Sequence, residues 1–169
     1  GAVAMAVATT GCVALQSAVL VTPDGTFEHA ATHGRGVDLA EVPAPVVETP
    51  FGNVAVLCGD EGYVPEVARA LGLEGADILA WPAFRPHPML ERIARTRADE
   101  NRAYMAAAWP GGGMLISPDG GPIQVSPEGS GVAMTGSTLL ALSRNKERAP
   151  GTNVVRGRKP RAYALGRER

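Results

Sequence analysis

Short apolar runs broken by Pro-, Asp- and Gly-rich corners set the rhythm of this chain. Residues 16–21 are largely apolar and end in Thr22-Pro23-Asp24-Gly25. Pro at the second turn position and Gly at the fourth suit a type I turn, so a hairpin is expected there. The same device recurs at Ser117-Pro118-Asp119-Gly120, after the run 114–116, and in looser form at Ser126-Pro127-Glu128-Gly129. The recurrence is turn chemistry and is too short to count as a solenoid repeat. Residues 54–58 form a continuous apolar run, the pattern of a strand buried on both faces. Residues 59–64 read as a loop, and Pro65 fits the first turn of a helix, where its missing N–H costs nothing. Val67, Ala70 and Leu71 then share one face of that helix, with Gly72 or Gly75 ending it. Residues 78–81 are the next strand, closed by Pro82, and Ala-Phe-Arg-Pro-His-Pro over 83–88 is a loop. A second helix is predicted over about 89–102, with Leu90, Ile93, Ala94, Arg97, Ala98 and Asn101 on one side. Residues 104–109 are a further strand, and 111–113 a glycine turn. Strands alternating with helices predict an α/β protein.

At 169 residues the chain suits one domain spanning 1–169. With 45% hydrophobic and 20% charged residues it has the make-up of a globular protein. No apolar run approaches the ~20 residues of a membrane helix. Thr9, Thr10, Gly11 and Gln16 interrupt the apolar start, so no cleaved signal peptide is expected. Cys12 and Cys58 make no disulfide framework, which points to a reduced, cytoplasmic setting. His29, His33 and His87 are scattered without metal-ligand spacing, so no metal and no cofactor are expected. The net charge of −1 hides an asymmetry: residues 144–169 carry nine Lys/Arg against two Glu. That basic arm reads as a solvated or partner-wrapping tail; without an aromatic-studded sheet or basic helix, nucleic acid is not the expected partner.

In order, the chain then shows Thr49-Pro50-Phe51-Gly52, Gly59-Asp60-Glu61-Gly62-Tyr63-Val64-Pro65-Glu66, Gly75-Ala76-Asp77, Arg97-Ala98-Asp99-Glu100-Asn101 and Ser117-Pro118-Asp119-Gly120. Leu15-Gln16-Ser17-Ala18 precedes them, and Asn145-Lys146 followed by Gly157-Arg158-Lys159-Pro160-Arg161-Ala162-Tyr163 closes the series. This order resembles the carbon–nitrogen hydrolase (nitrilase/amidase) superfamily over roughly residues 13–163. The resemblance implies an αββα sandwich with the helices outside two facing sheets. Here the first strand–helix units are expected to be absent, leaving an exposed apolar sheet edge. It also implies hydrolysis of a small amide or nitrile by a Glu–Lys–Cys triad, in which a cysteine thiolate attacks the carbon. The glutamate is the general base, and the lysine with a backbone N–H holds the oxyanion. Relatives pair as dimers, so a homo-oligomer is expected, with 144–169 resembling a partner-crossing arm.

The departures decide the expected function. Counting back from Pro65-Glu66 and forward from Gly52 both put the nucleophile position on Gly59. Cys58 falls one residue early and, by strand alternation, is expected to point away from the pocket; a bulge would be needed to bring it back as a fallback nucleophile. Where the lysine is expected, the chain has Ala30-Ala31-Thr32-His33, and no lysine precedes Lys146. His33 is the nearest proton donor in sequence, although a surface-loop histidine is the plainer reading. Residues 34–43 look shortened where relatives carry a second pocket glutamate, and Glu41 is a poor replacement. The general-base glutamate belongs to the units expected to be absent. Asp60 and Trp81 are expected as pocket neighbours. The Asp60–Glu61 pair has a plainer reading as loop carboxylates binding backbone amides, and Trp81 and Trp109 as strand-end core. Arg97, on an apolar stripe, needs a partner such as Glu66 or Glu100. The expected function is therefore a family member inactive as this chain. The alternatives are a non-catalytic dimerisation module, a truncated piece of an active amidase completed by another segment, or an inert domain with a polyanion-binding arm.

Overall fold

A computed structural model describes residues 4–6, 17–22, 24–32, 44–126 and 140–163. Its strands form two sheets. The first contains β1 (Ala4–Ala6), β2 (Ser17–Thr22) and β3 (Gly25–Ala30), antiparallel in that order. The second has six strands in sequence order: β4 (Val47–Thr49), β5 (Gly52–Val56), β6 (Ile78–Pro82), β7 (Tyr104–Trp109), β8 (Gly112–Ile116) and β9 (Pro122–Ser126). β5, β6 and β7 run parallel and the outer strands antiparallel. Two crossover helices make that parallel run possible. α1 (Pro65–Leu73) joins β5 to β6, and α2 (Leu90–Asn101) joins β6 to β7.

Strand alternation divides the central sheet between two cores. Ala55, Leu57, Leu79, Trp81 and Met105 pack towards the helices, against Val67, Leu71, Ala94 and Ala98. Val54, Val56, Cys58 and Ala80 face the other way, onto Ala18, Leu20 and Ala31 of the first sheet. The result is helix, sheet and sheet in layers, an incomplete αββα sandwich. Fully burying side chains such as Leu57, Leu71 and Leu79 contributes about 1.5–3 kcal/mol each. A short α3 (Leu140–Arg144) leads into the basic segment. Lys146 there is buried and donates to the carbonyls of Ala76 (2.7 Å) and Arg102 (3.3 Å), pinning the segment beneath the central strands. Burial, together with Arg102 and Arg69, lowers its pKa to about 8, with Asp77 opposing.

Two details differ from the sequence reading. The glycine turn lies at Pro110-Gly111, with Gly111 at φ +95°, and β8 already begins at Gly112. β7 and β8 are paired to Trp109↔Gly112, so the later glycines are drawn into the ladder. Ile93 is only half-buried, because the small residues Ala94 and Ala98 form the centre of the α2 contact. Ser126 ends β9, and the third corner, Pro-Glu-Gly, lies outside the described residues. Among the described residues β9 is an edge strand, with Ile123 and Val125 exposed. No helix of the described residues is long and apolar enough to cross a membrane.

Gly62 shows how tightly the strand–helix connection is packed. A Cβ there would fall 1.9 Å from the Trp81 ring, which is itself fully buried. Gly62→Ala is therefore expected to destabilise the fold by about 1–3 kcal/mol or more, read as a lower urea midpoint at unchanged slope. A midpoint equal to the parent's would contradict this packing.

Candidate functional site

The site lies where β5 leaves the sheet. Leu57 extends the parallel ladder by donating its N–H to Ala80 O at 2.8 Å. Cys58 is still extended, at φ −88° and ψ 116°. Alternation thus runs unbroken through Leu57, on the helix side, to Cys58, between the sheets. Gly59 then turns the chain at φ +56°, the left-handed region that an L side chain enters only at a cost. A 3₁₀ helix over Gly59–Tyr63 follows, and Pro65 opens α1.

Cys58 is fully buried, a free thiol in the inter-sheet cluster beside the first sheet. Burial, and then the negative charge of Glu61, push its pKa up to about 12. Gly59 is also buried and carries no side chain; its carbonyl accepts the Trp81 indole N–H at 2.7 Å. Trp81 thus touches the turn from the helix side, stacked edge-on against Tyr63, and Trp109 packs on the same helix-side core. Asp60 turns outward to a salt bridge with Arg85 at 2.8 Å. Arg97 pairs with Glu100 at 2.9 Å and also donates to the carbonyls of Gly62 and Tyr63, bolting α2 to the turn.

The centre of the site is Glu61, which the sequence reading treated as a loop carboxylate. Its side chain is fully buried. It accepts from His29 Nε2 at 2.9 Å, from the Thr32 N–H at 2.7 Å and hydroxyl at 2.6 Å, and from the Cys58 N–H at 2.6 Å. Burial pushes its pKa up, but the bonds from His29, Thr32 and Cys58 outweigh it, and the net shift is downward. His29, scattered in sequence, is buried and brought to this carboxylate by β3. One signal was available: Ala18 pairs with His29, so an inward Ala18 carries His29 inward with it. Ala30 and Ala31 bring no cation, while His33, Glu41 and Cys12 lie outside the described residues. Among the described residues no group of three His, Cys, Asp or Glu side chains is placed to hold a metal ion.

A strand exit bearing a cysteine, a tight glycine turn and a Pro-started helix, set between two facing sheets, narrows the family. The sequence profile of the carbon-nitrogen hydrolases matches residues 2–139. The chain belongs to the carbon–nitrogen hydrolase family. A nitrilase from Pyrococcus abyssi (strain GE5 / Orsay) is 27% identical over 128 residues, covering 70% of this chain and 49% of the relative. Saccharomyces cerevisiae Nit3, a member of branch 10 of the nitrilase superfamily, superposes with a TM-score of 0.61 at 18% identity, over 68% of this chain and 50% of its own. An amidase variant from Nesterenkonia sp. AN1, with acetamide covalently added at its active-site cysteine, gives 0.63 at 20% identity, over 79% and 59%. At these identities the structures speak for the fold alone. The chain spans about half the length of the Pyrococcus nitrilase and of yeast Nit3.

Proposed function

We propose that this chain is a carbon–nitrogen hydrolase fold unit that does not itself hydrolyse amides or nitriles, and that it acts as a self-associating, non-catalytic module. One observation carries the reading: among the described residues the only thiol at the site, Cys58, is fully buried, with a pKa near 12 beside a carboxylate. The thiolate is the attacking species, and nothing described here favours it. The chain has two lysines, Lys146 and Lys159; Lys146 is spent on the carbonyls of Ala76 and Arg102. Gly59 offers no nucleophile at all. A reducing, cytoplasmic setting suits the free thiol.

A second reading has one observation in its favour. Cys58 sits between the sheets, where the strand gives way to the helix, and the Nesterenkonia amidase uses a cysteine for its covalent chemistry. In that reading Cys58 is the nucleophile of an amidase completed by further residues. Iodoacetamide labelling across pH, in a Cys12→Ala background, separates the two. The non-catalytic reading expects alkylation of Cys58 to stay slow to well above the ordinary thiol value of 9.0. A labelling midpoint near neutrality would show a poised thiolate and overturn it.

Self-association is the second half of the proposal. The exposed Ile123 and Val125 of edge strand β9 supply apolar surface for it. In sedimentation at micromolar concentration the chain is expected to run larger than a monomer. A clean monomer, with or without residues 150–169, sinks the idea.

A further inference from the structure

Glu61 joins the two sheets by hydrogen bonds at the point where they cover Cys58. From the first sheet come the His29 ring and both donors of Thr32; from the second comes the Cys58 N–H. Around these bonds the sheets meet through the apolar cluster of Ala18, Leu20, Ala31, Val54, Val56 and Cys58. We propose that Glu61 is a proton-operated latch: charged, it holds the end of β3 closed over Cys58; protonated, it lets that end go and opens the thiol to solvent.

A carboxylate offers about four lone-pair directions and no hydrogen; four donors from His29, Thr32 and Cys58 fill them. Protonation puts a fifth hydrogen into a shell already made of donors. Two of these, the backbone N–H groups, have no way to turn and accept. The acceptor that the buried His29 ring faces loses its charge in the same step. The other charged and titratable groups about the turn are committed elsewhere. Asp60 is paired with Arg85 on the outer side, and Arg97 of α2 holds the carbonyls of Gly62 and Tyr63 and the carboxylate of Glu100. Tyr63 packs its ring on Trp81 and His87, and Glu28 of β3 faces outward. The Cys58 thiol feels the Glu61 charge without bonding to the carboxylate. Glu61 is thus the group on which the closure turns, and its ordinary value of 4.5 is already shifted down by the bonds it accepts. The latch holds at neutral pH and weakens below 4.5, whether or not the site ever turns over a substrate.

The test is dithiodipyridine labelling of Cys58, in the Cys12→Ala background, from about pH 8 down to about pH 3, with tryptophan fluorescence followed in parallel. The parent is expected to be protected at neutral pH, with labelling rising ~10-fold per pH unit below 4.5 while the buried Trp81 signal stays native. Glu61→Gln, an uncharged isostere, should label at neutral pH about as fast as the parent in acid, with no acid step. Thr32→Val removes one donor to the carboxylate and should move the acid step to higher pH. Labelling that rises only together with loss of the tryptophan signal would overturn the latch, as would Glu61→Gln keeping the parent's protection and acid step. If Glu61→Gln does not fold, an unmoved acid step in Thr32→Val is the overturning result.

Discussion

Glu61→Ala is expected to lower the free energy of unfolding at neutral pH by at least about 1–3 kcal/mol, the cost typical of leaving a buried hydrogen-bonding group unsatisfied. The alanine leaves His29, 5% exposed, without its acceptor, and strips the Cys58 N–H and both Thr32 donors of theirs. Water has little room to replace the carboxylate, because the Glu61 side chain is fully buried. Urea unfolding of parent and variant reads the effect as a displaced midpoint. The pH dependence has a definite sign. The net pKa shift of Glu61 is downward, so its contribution is present above the ordinary 4.5 and is lost as pH falls below it. The gap between parent and Glu61→Ala should therefore narrow in acid. A neutral-pH difference under about 1 kcal/mol, the size of an ordinary surface change, would show the knot to be ornamental.

Gly59→Cys is expected to gain no turnover and to lose stability. Both sequence anchors place the nucleophile at Gly59, so the substitution looks like a repair. The backbone denies it: φ of +56° costs an L-residue roughly 1–2 kcal/mol. Losing one member of a nucleophilic triad costs ~10⁴–10⁶ in rate, and the members act as a unit, so supplying one alone restores nothing. Ammonia release from a small amide, with a thermal midpoint on the same sample, checks both halves. Measurable turnover in Gly59→Cys would mean that the lysine and glutamate roles are filled by groups outside this account.

The central sheet was legible because β5, β6 and β7 are short continuous apolar runs, the first two each followed by a helix signal. Pro65 and the Ala94/Ala98 stripe give the helix starts and faces directly. The family was legible for the same reason: its corner motifs are local. The site was not, because it rests on pairings across long sequence gaps. Glu61 meets His29 from 32 positions away, and neither residue carries a local pattern that announces the other. The backbone keeps strand alternation through Cys58 and spends Gly59 on the left-handed bend. Expected to point away from the pocket, Cys58 faces the first sheet. Trp81, expected near the pocket, supports the turn from the helix side, and Asp60 is drawn outward by Arg85.

The central claim is that Cys58 is held as a silent thiol. The most direct measurement is ammonia release from a small aliphatic amide and a nitrile, with intact-mass analysis of the protein, for the parent and Cys58→Ala. No ammonia above the blank and no acyl adduct are expected on either protein. Steady release with an adduct at Cys58, both abolished in Cys58→Ala, would contradict that claim and make Cys58 the nucleophile.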